Sequence, residues 1–187
     1  KKMFAGMNSV NFDDLVAGVA LYRPGPMEKI PGYIARKNGH EEVPKIHPIY
    51  DSITAVTYGF LVYQEQVMEI SKQMAGYSMG EADVLRKAVG KKKVEILEPA
   101  LKELYSRMIA NNIPSDIAEK VCDDIRPFAG YGFNLSHAAC YAFIAYQTAY
   151  LKANYPIEYM TAVLQVFYTE EDKVIKYAKV ARDMGME

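Results

Sequence analysis

Apolar residues recur along most of the chain at the three- and four-residue spacing of an amphipathic α-helix. Pairs of proline and glycine interrupt this pattern, and the proline-containing segment 40–48 is predicted to be a loop. Only Phe60–Tyr63 has the continuous apolar character of a short strand. The fold is therefore predicted to be mainly α, a multi-helix domain with at most a minor strand pairing. Eight or so helices are expected, covering residues 11–22, 30–37, 64–75, 78–89, 94–110, 114–128, 136–154, from 156 onward, and 169–185.

Side-chain caps predict where individual helices begin. Ser78 and Glu81 have the spacing of a capping box, in which each side chain bonds the backbone N–H of the other residue. Thr169 and Asp172 have the same spacing at the start of the last predicted helix. Ser136 is the expected N-cap of the helix that runs to residue 154, because a serine hydroxyl accepts from a backbone N–H of the first turn.

The composition is that of an ordinary folded domain. The 187 residues are 50% hydrophobic and 24% charged, which suits one core and excludes a disordered, collagen-like or disulfide-rich chain. The net charge of −1 provides no globally basic surface for nucleic acid. The two cysteines form no framework and favour a reducing cytoplasm, and no stretch is long and apolar enough to span a membrane. Because the apolar pattern already runs at Phe4, directly after Lys1-Lys2-Met3, we expect a piece of a longer protein.

A basic cluster is the strongest electrostatic feature of the sequence. Cations at the C-terminus of a helix are favourable to the helix dipole, so a solvent-exposed helix end is one interpretation. The other is a site for a polyphosphate or for a nucleic-acid backbone, since arginine offers phosphate a planar fork of donors. Because no acidic side chain lies between residues 86 and 93 and nothing nearby neutralises the cluster, we favour a ligand. Its members are Arg86, Lys87, Lys91, Lys92 and Lys93.

The segment 130–137 is the second candidate site. Its glycines precede Asn134, Ser136 and His137 at the start of a predicted helix. Backbone N–H groups at a helix N-terminus attract anions, so one interpretation of this segment is an anion-binding site. The other is a structural loop that ends in an N-cap, and the sequence does not favour either. Tyr141 lies four residues after His137 on the same helix face. Its ring would stack on a base or sugar or belong to the core.

Several catalytic patterns are absent from the sequence. The three histidines and two cysteines lack zinc-ligand spacing, and there is no phosphate-binding glycine–lysine loop. Adjacent acidic pairs such as Asp123-Asp124 are predicted on helices, where neighbouring side chains diverge by about 100°. There is no Asp-x-Asp. We therefore expect this chain to hold no catalytic metal.

Long stretches of the sequence resemble the catalytic (alpha) subunits of bacterial DNA polymerase III. The resemblance runs almost end to end and in the same order, over motifs too long to arise by chance. The stretches are ALYRPGPM at 20–27, VYQEQVM at 62–68, AGYSMGEAD at 75–83, FAGYGFN at 128–134, SHAA at 136–139 and AYQTAYLK at 145–152.

The resemblance implies that residues 1–187 are part of the fingers domain of a larger polymerase chain, with the palm and its catalytic aspartates upstream. The whole protein would be a replicative DNA-directed DNA polymerase, and this fragment alone would be inactive. The basic pair Arg86 and Lys87 would contact the triphosphate of the incoming nucleotide, and Lys91, Lys92 and Lys93 would lie near DNA. The remaining residues of the nucleotide pocket would be Asn134, Ser136, His137 and Tyr141.

The resemblance also implies a cofactor and partners. Mg²⁺ would serve the whole enzyme, with its ligands outside this chain. The partners would be deoxynucleoside triphosphates, primer–template DNA and other subunits of the polymerase III holoenzyme. No membrane would be involved. The alternative is a helical module that binds nucleic-acid backbone or a replisome protein and has no nucleotide pocket.

Two positions depart from the family pattern. Lys87 stands where the family usually has a second arginine, so the charge remains but the planar fork is lost. Leu135 stands where the family loop has a lysine between the asparagine and the serine. If that lysine binds phosphate, its loss removes a charge-assisted hydrogen bond worth about 1.5–3 kcal/mol.

Overall fold

The structure, a computed structural model, describes residues 2–8, 11–91 and 94–186. Within these ranges it contains α-helices joined by short loops and two 3₁₀ turns, at Pro26–Lys29 and Ala55–Thr57. The helices are α1 (Lys2–Gly6), α2 (Phe12–Leu21), α3 (Ile30–Lys37), α4 (Pro48–Thr54), α5 (Gln64–Ala75), α6 (Met79–Gly90), α7 (Val94–Ala110), α8 (Ser115–Phe128), α9 (Leu135–Asn154), α10 (Pro156–Val166) and α11 (Glu171–Asp183).

The prediction of a mainly α fold with at most a minor strand pairing is confirmed. The strand-like segment that ends at Tyr63 makes a single parallel bridge, between Tyr63 and Phe133. The Phe133 N–H donates to the Val62 carbonyl at 3.1 Å, and the Gln64 N–H donates to the Phe133 carbonyl at 2.9 Å. This bridge fastens the loop before α9 to the start of α5.

The chain divides into two compact units, one up to Ala142 and the other from Phe143. The first unit has two buried clusters. One is formed by α4 to α8 and includes the fully buried Ile70 and Leu104. The other joins α1 to α3 to the 62–63 segment and the start of α9, with Tyr33 and Ala138 buried. Full burial of a large aliphatic side chain contributes about 1.5–3 kcal/mol, so these clusters fix the elements that carry the candidate site.

The second unit consists of the C-terminal part of α9 with α10 and α11. Within it Met160 is buried. The rings of Phe167 and Tyr177 stack with their centroids 5.4 Å apart, and the Lys173 ammonium lies 4.3 Å from the centre of the Phe167 ring. These contacts tie the end of α10 to α11.

One of the three predicted side-chain caps is present and two are not. The Ser78–Glu81 capping box is present, with the Ser78 N–H donating to Glu81 at 2.8 Å. The prediction of Ser136 as an N-cap is wrong, because α9 already begins at Leu135 and Asn134, two residues before Ser136, accepts from the N–H of His137 at 2.8 Å. The predicted box at Thr169 is also wrong. Helix α11 begins at Glu171 and has no side-chain cap.

Two short helices were not predicted. Helix α1 occupies the first described residues. Helix α4 begins inside the region taken as loop, where Pro48 is the first helical residue and the His47 side chain accepts from the Ile49 N–H at 3.3 Å. Proline is well suited to that position, because its missing N–H would have no partner within the helix.

No helix in the described part of the chain is long and apolar enough to cross a membrane.

Candidate functional site

The first half of the candidate site is the C-terminal part of α6. Arg86 is half-buried and Lys87 is exposed. Asp83, one turn earlier, pairs with both cations: Arg86 Nη2 lies 2.8 Å from Asp83 Oδ1, and Lys87 Nζ lies 2.8 Å from Asp83 Oδ2. The expectation that nothing nearby neutralises the basic cluster is therefore wrong for these two residues. The helical spacing of three and four residues places one carboxylate against both cations.

The two cations keep Asp83 ionised. Hydrogen bonds from Lys87 and from Arg86 hold the pKa of the Asp83 carboxyl below its usual range. Two cations and one carboxylate leave a single net positive charge on these three side chains. An anionic ligand would therefore be attracted by one net positive charge, unless it displaces Asp83 and contacts both cations.

Gln64, the first residue of α5, joins Arg86 to the loop before α9. Its side-chain oxygen accepts from Arg86 Nη1 at 3.2 Å, and its side-chain nitrogen donates to the Gly132 carbonyl at 3.1 Å. Arg86 and Gly132 lie far apart in sequence. The contact through Gln64 brings the two predicted halves of the site together.

The loop from Gly130 to Asn134 is held closely against the surrounding helices. Gly130 has a φ of +87°, which favours glycine, and its N–H donates to the Val89 carbonyl at 2.9 Å. The guanidinium of Arg23 lies 4.2 Å from the centre of the Phe133 ring. It also donates to the Tyr131 carbonyl at 2.7 Å. The loop is therefore fixed by contacts from both sides.

A carboxylate of this chain already lies at the start of α9. Glu65 accepts from the Asn134 side-chain nitrogen at 2.7 Å and from the Leu135 N–H at 2.9 Å. Asn134 uses its oxygen to cap His137, so both ends of its amide are engaged within the chain. The helix start attracts an anion, as expected from its exposed N–H groups and dipole, and here that anion is Glu65.

The aromatic side of the site is exposed. The rings of His137 and Tyr141 have centroids 4.6 Å apart, and the Phe133 and His137 centroids are 5.4 Å apart. Tyr141 is 54% exposed, so the alternative that its ring belongs to the core is wrong. Ser136 is exposed in the first turn of α9. The three rings present a surface on which a planar ligand could stack.

The lysines after α6 are only partly described. Lys91 is the C-cap of α6 and is exposed, with its N–H bonded to the Ala88 carbonyl at 3.2 Å. Lys92 and Lys93, predicted to lie near DNA, are outside the described residues.

Sequence reasoning named the cations and the loop but missed the residues that organise them. Asp83 had a usable signal, its helical spacing from Arg86 and Lys87. Gln64 and Glu65 had no such signal, because their side-chain partners in the site lie 22 to 70 residues away in sequence. Arg23 contacts the loop across a separation of 108 residues.

A separate cleft of about 290 Å³ contains none of the predicted site residues. Lys29, Arg36 and Lys120 line it together with Tyr50 and Asp124. Asp124 accepts from the Tyr50 hydroxyl at 3.1 Å and from Lys120 at 3.0 Å. Arg36 pairs with Glu41 at 2.7 Å, so three of these four charged side chains have a partner of opposite charge within the chain.

Comparison with known proteins decides the family. Residues 1–112 match the bacterial DNA polymerase III alpha subunit finger domain. The matched segment is more than half of the chain. The chain belongs to this finger-domain family.

Curated relatives extend the similarity over the rest of the chain. The chain is 45% identical to the DNA polymerase III subunit alpha of Thermus aquaticus over an alignment of 186 positions that covers 97% of this chain and 15% of that protein. It is 47% identical to the subunit of Chlamydia trachomatis over 175 residues, 94% of this chain and 14% of that protein. The subunit of Saccharopolyspora erythraea is 46% identical over an alignment of 192 positions that covers 100% of this chain and 16% of that protein. The finger-domain chain thus spans about one-sixth or less of the length of these relatives.

Proposed function

We propose that the chain is part of a replicative DNA-directed DNA polymerase, and that its first unit binds the incoming deoxynucleoside triphosphate. The contact that carries this proposal is the link from Arg86 through Gln64 to the loop before α9. This link puts a cation and the exposed rings of His137 and Tyr141 on one connected framework. Membership of the finger-domain family supports the polymerase assignment.

The chemistry of a triphosphate suits the α6 end of the site. Arg86 donates some of its guanidinium N–H groups to Asp83 and Gln64. Other N–H groups of the same guanidinium remain available to a phosphate. Lys87 is exposed on a flexible stem and adds a mobile positive charge. A polyphosphate would compete with Asp83 for both cations.

The two ends of the site would contribute differently. Because Glu65 already occupies the N-terminus of α9, phosphate binding is assigned to Arg86 and Lys87. The base or sugar would lie against Tyr141 and His137, where stacking contributes about 1–3 kcal/mol per base. Asn134 and Ser136 would shape the turn between the two ends. Under this division no phosphate contact is required at Leu135, where the family loop has a lysine.

The reaction proposed for the whole protein is template-directed nucleotidyl transfer, in which a primer 3′-oxygen attacks the α-phosphorus and pyrophosphate leaves. Mg²⁺ would supply Lewis-acid chemistry from a site outside this chain. The described residues include no group of three or more His, Cys, Asp or Glu side chains that could hold a metal ion. This chain would position the triphosphate and neutralise its charge. Lys91, Lys92 and Lys93 would bind the DNA backbone. Other holoenzyme subunits would be partners, in the cytoplasm.

The proposal is tested by binding of a labelled primer–template to the full-length polymerase over a series of salt concentrations, with the matched nucleotide, a mismatched one or none. The matched nucleotide should tighten the complex in the wild type. Arg86→Ala/Lys87→Ala should abolish that gain while leaving binding without nucleotide nearly unchanged, because these side chains are assigned to the triphosphate.

Two other results would contradict the proposal. If the double variant keeps the full nucleotide-dependent gain, the nucleotide site lies elsewhere. If the variant weakens binding equally with and without nucleotide and flattens the log–log salt dependence by about 0.9 per lost phosphate contact, the basic residues bind DNA backbone only. The module without a nucleotide pocket would then be the better description.

A further inference from the structure

Gln64 is held at three points between the two halves of the site. Its backbone N–H donates to the Phe133 carbonyl at 2.9 Å. Its side-chain amide donates to the Gly132 carbonyl and accepts from Arg86. The residue is half-buried, so these bonds are partly shielded from competing water. One amide therefore satisfies a backbone acceptor on the loop and a cation on α6 at the same time.

Glu65, the next residue, closes the other end of the same loop. Its carboxylate bonds the side chain of Asn134 and the N–H of Leu135. The two adjacent residues at the start of α5 thus hold the loop at Gly132 and at Asn134. The loop cannot move relative to α5 without breaking these bonds.

Arg86 is linked to this framework through Gln64. Its pairing with Asp83 lies within α6 and would travel with that helix. A long arginine side chain samples many rotamers unless a second partner fixes it. Gln64 supplies that partner from outside α6, and its orientation is in turn fixed by Gly132.

We propose that Gln64 is a positioning residue that sets the Arg86 guanidinium against the loop before α9, so that one nucleotide meets the cation and the rings together. The inference rests on the proposed function above. Both functions of the amide are required: an acceptor for Arg86 and a donor for the Gly132 carbonyl. Neither methionine nor glutamate provides both, although each has about the same length as glutamine.

The test compares Gln64→Met, Arg86→Ala and the double variant in the full-length polymerase. Single-turnover incorporation at a series of nucleotide concentrations separates the nucleotide Kd from the maximal rate. Gln64→Met should raise the Kd about tenfold, since a misplaced charge-assisted hydrogen bond loses most of its contribution. In the Arg86→Ala background the same change should alter the Kd by less than about twofold, because the partner through which Gln64 acts is gone.

Gln73→Met is the matched control. Gln73 lies on the same helix, is exposed, and bonds only Glu69 among the described residues. This variant should keep the wild-type Kd. A purely structural role for Gln64 predicts instead that Gln64→Met raises the Kd by the same factor with and without Arg86.

The outcomes distinguish this inference from the proposed function. If Arg86→Ala leaves the Kd unchanged, the proposed nucleotide site is wrong. If Arg86→Ala raises the Kd but Gln64→Met does not, or if the two effects simply add, the positioning role is wrong and the nucleotide site stands. Should Gln64→Met fail to fold, Gln64→Glu preserves the packing and loses the donor to Gly132. That variant should also raise the Kd, and a wild-type value would overturn the inference.

Discussion

Gly132 lies against the buried ring of Phe128, and Gly132→Ala should destabilise the protein by about 1–3 kcal/mol, the usual cost of overpacking. A Cβ built on Gly132 would lie 2.5 Å from Phe128 Cε1 and 3.1 Å from Gln64 Cγ. Phe128 is 2% exposed, so its ring packs against other core side chains and cannot be displaced without disturbing them. Gly132 does not have a positive φ, so the expected cost arises from this overlap alone.

Urea denaturation followed by far-ultraviolet circular dichroism measures the effect, with Gly80→Ala as the control. A Cβ on Gly80 would meet no atom within 4 Å, and Gly80 lies in α6. Its replacement should therefore stabilise the chain by about 0.5 kcal/mol, because alanine favours a helix over glycine. Gly132→Ala with a stability equal to or above that of the wild type would refute the close packing of this loop against Phe128.

Three further predictions concern charged and titratable groups away from the loop. Lys37→Met should cost about 1.5–3 kcal/mol in the same assay, because it removes a charge-assisted hydrogen bond to the Asp14 carboxylate, which is 2% exposed and 2.9 Å from Lys37; a loss below about 0.5 kcal/mol would contradict this. Burial raises the pKa of Cys122 to about 11, so a maleimide should label only the other, exposed cysteine of the folded chain. Mass spectrometry counts the labels, and two labels on the folded chain would contradict the burial of Cys122. Hydrogen bonds, chiefly from Arg107, lower the pKa of Glu81 from 4.5 to about 2; its stabilising effect is present above pH 4.5 and lost as the pH falls toward 2. The urea midpoint of Glu81→Gln should therefore fall less than that of the wild type between pH 4.5 and pH 2. If the two midpoints fall in parallel with pH, Glu81 does not contribute to this pH dependence.

Most of the fold could be predicted from sequence because the signals are local. Apolar periodicity gave α3, α5 and α7 with the same bounds as the structure, and the Ser78–Glu81 box placed the start of α6. The start of α9 was misjudged because Asn134 and Ser136 are both good caps. The choice between them depends on Glu65, which binds Asn134 and the Leu135 N–H from another helix.

The candidate site was only half predictable for the same reason. Arg86 and Lys87 stand out as charges, and Asp83 follows from helical spacing once it is considered. Gln64 does not stand out, since a glutamine at the start of a helix is an ordinary residue until folding brings Gly132 beside it. Contacts across such separations depend on how α5, α6 and the loop pack together, which periodicity does not encode.

The assignment of Arg86 to the triphosphate is tested most directly by the nucleotide Kd of Arg86→Ala in the full-length polymerase, measured by single-turnover incorporation beside Arg126→Ala. Arg126 is a matched control, because it pairs with Asp123 at the same helical spacing that joins Arg86 to Asp83, and it lies on α8 outside the candidate site. We expect the Kd to rise at least about tenfold for Arg86→Ala, because a charge-assisted phosphate bond is lost, and to stay unchanged for Arg126→Ala. Equal Kd values for both variants and the wild type would contradict the assignment of Arg86 to the triphosphate.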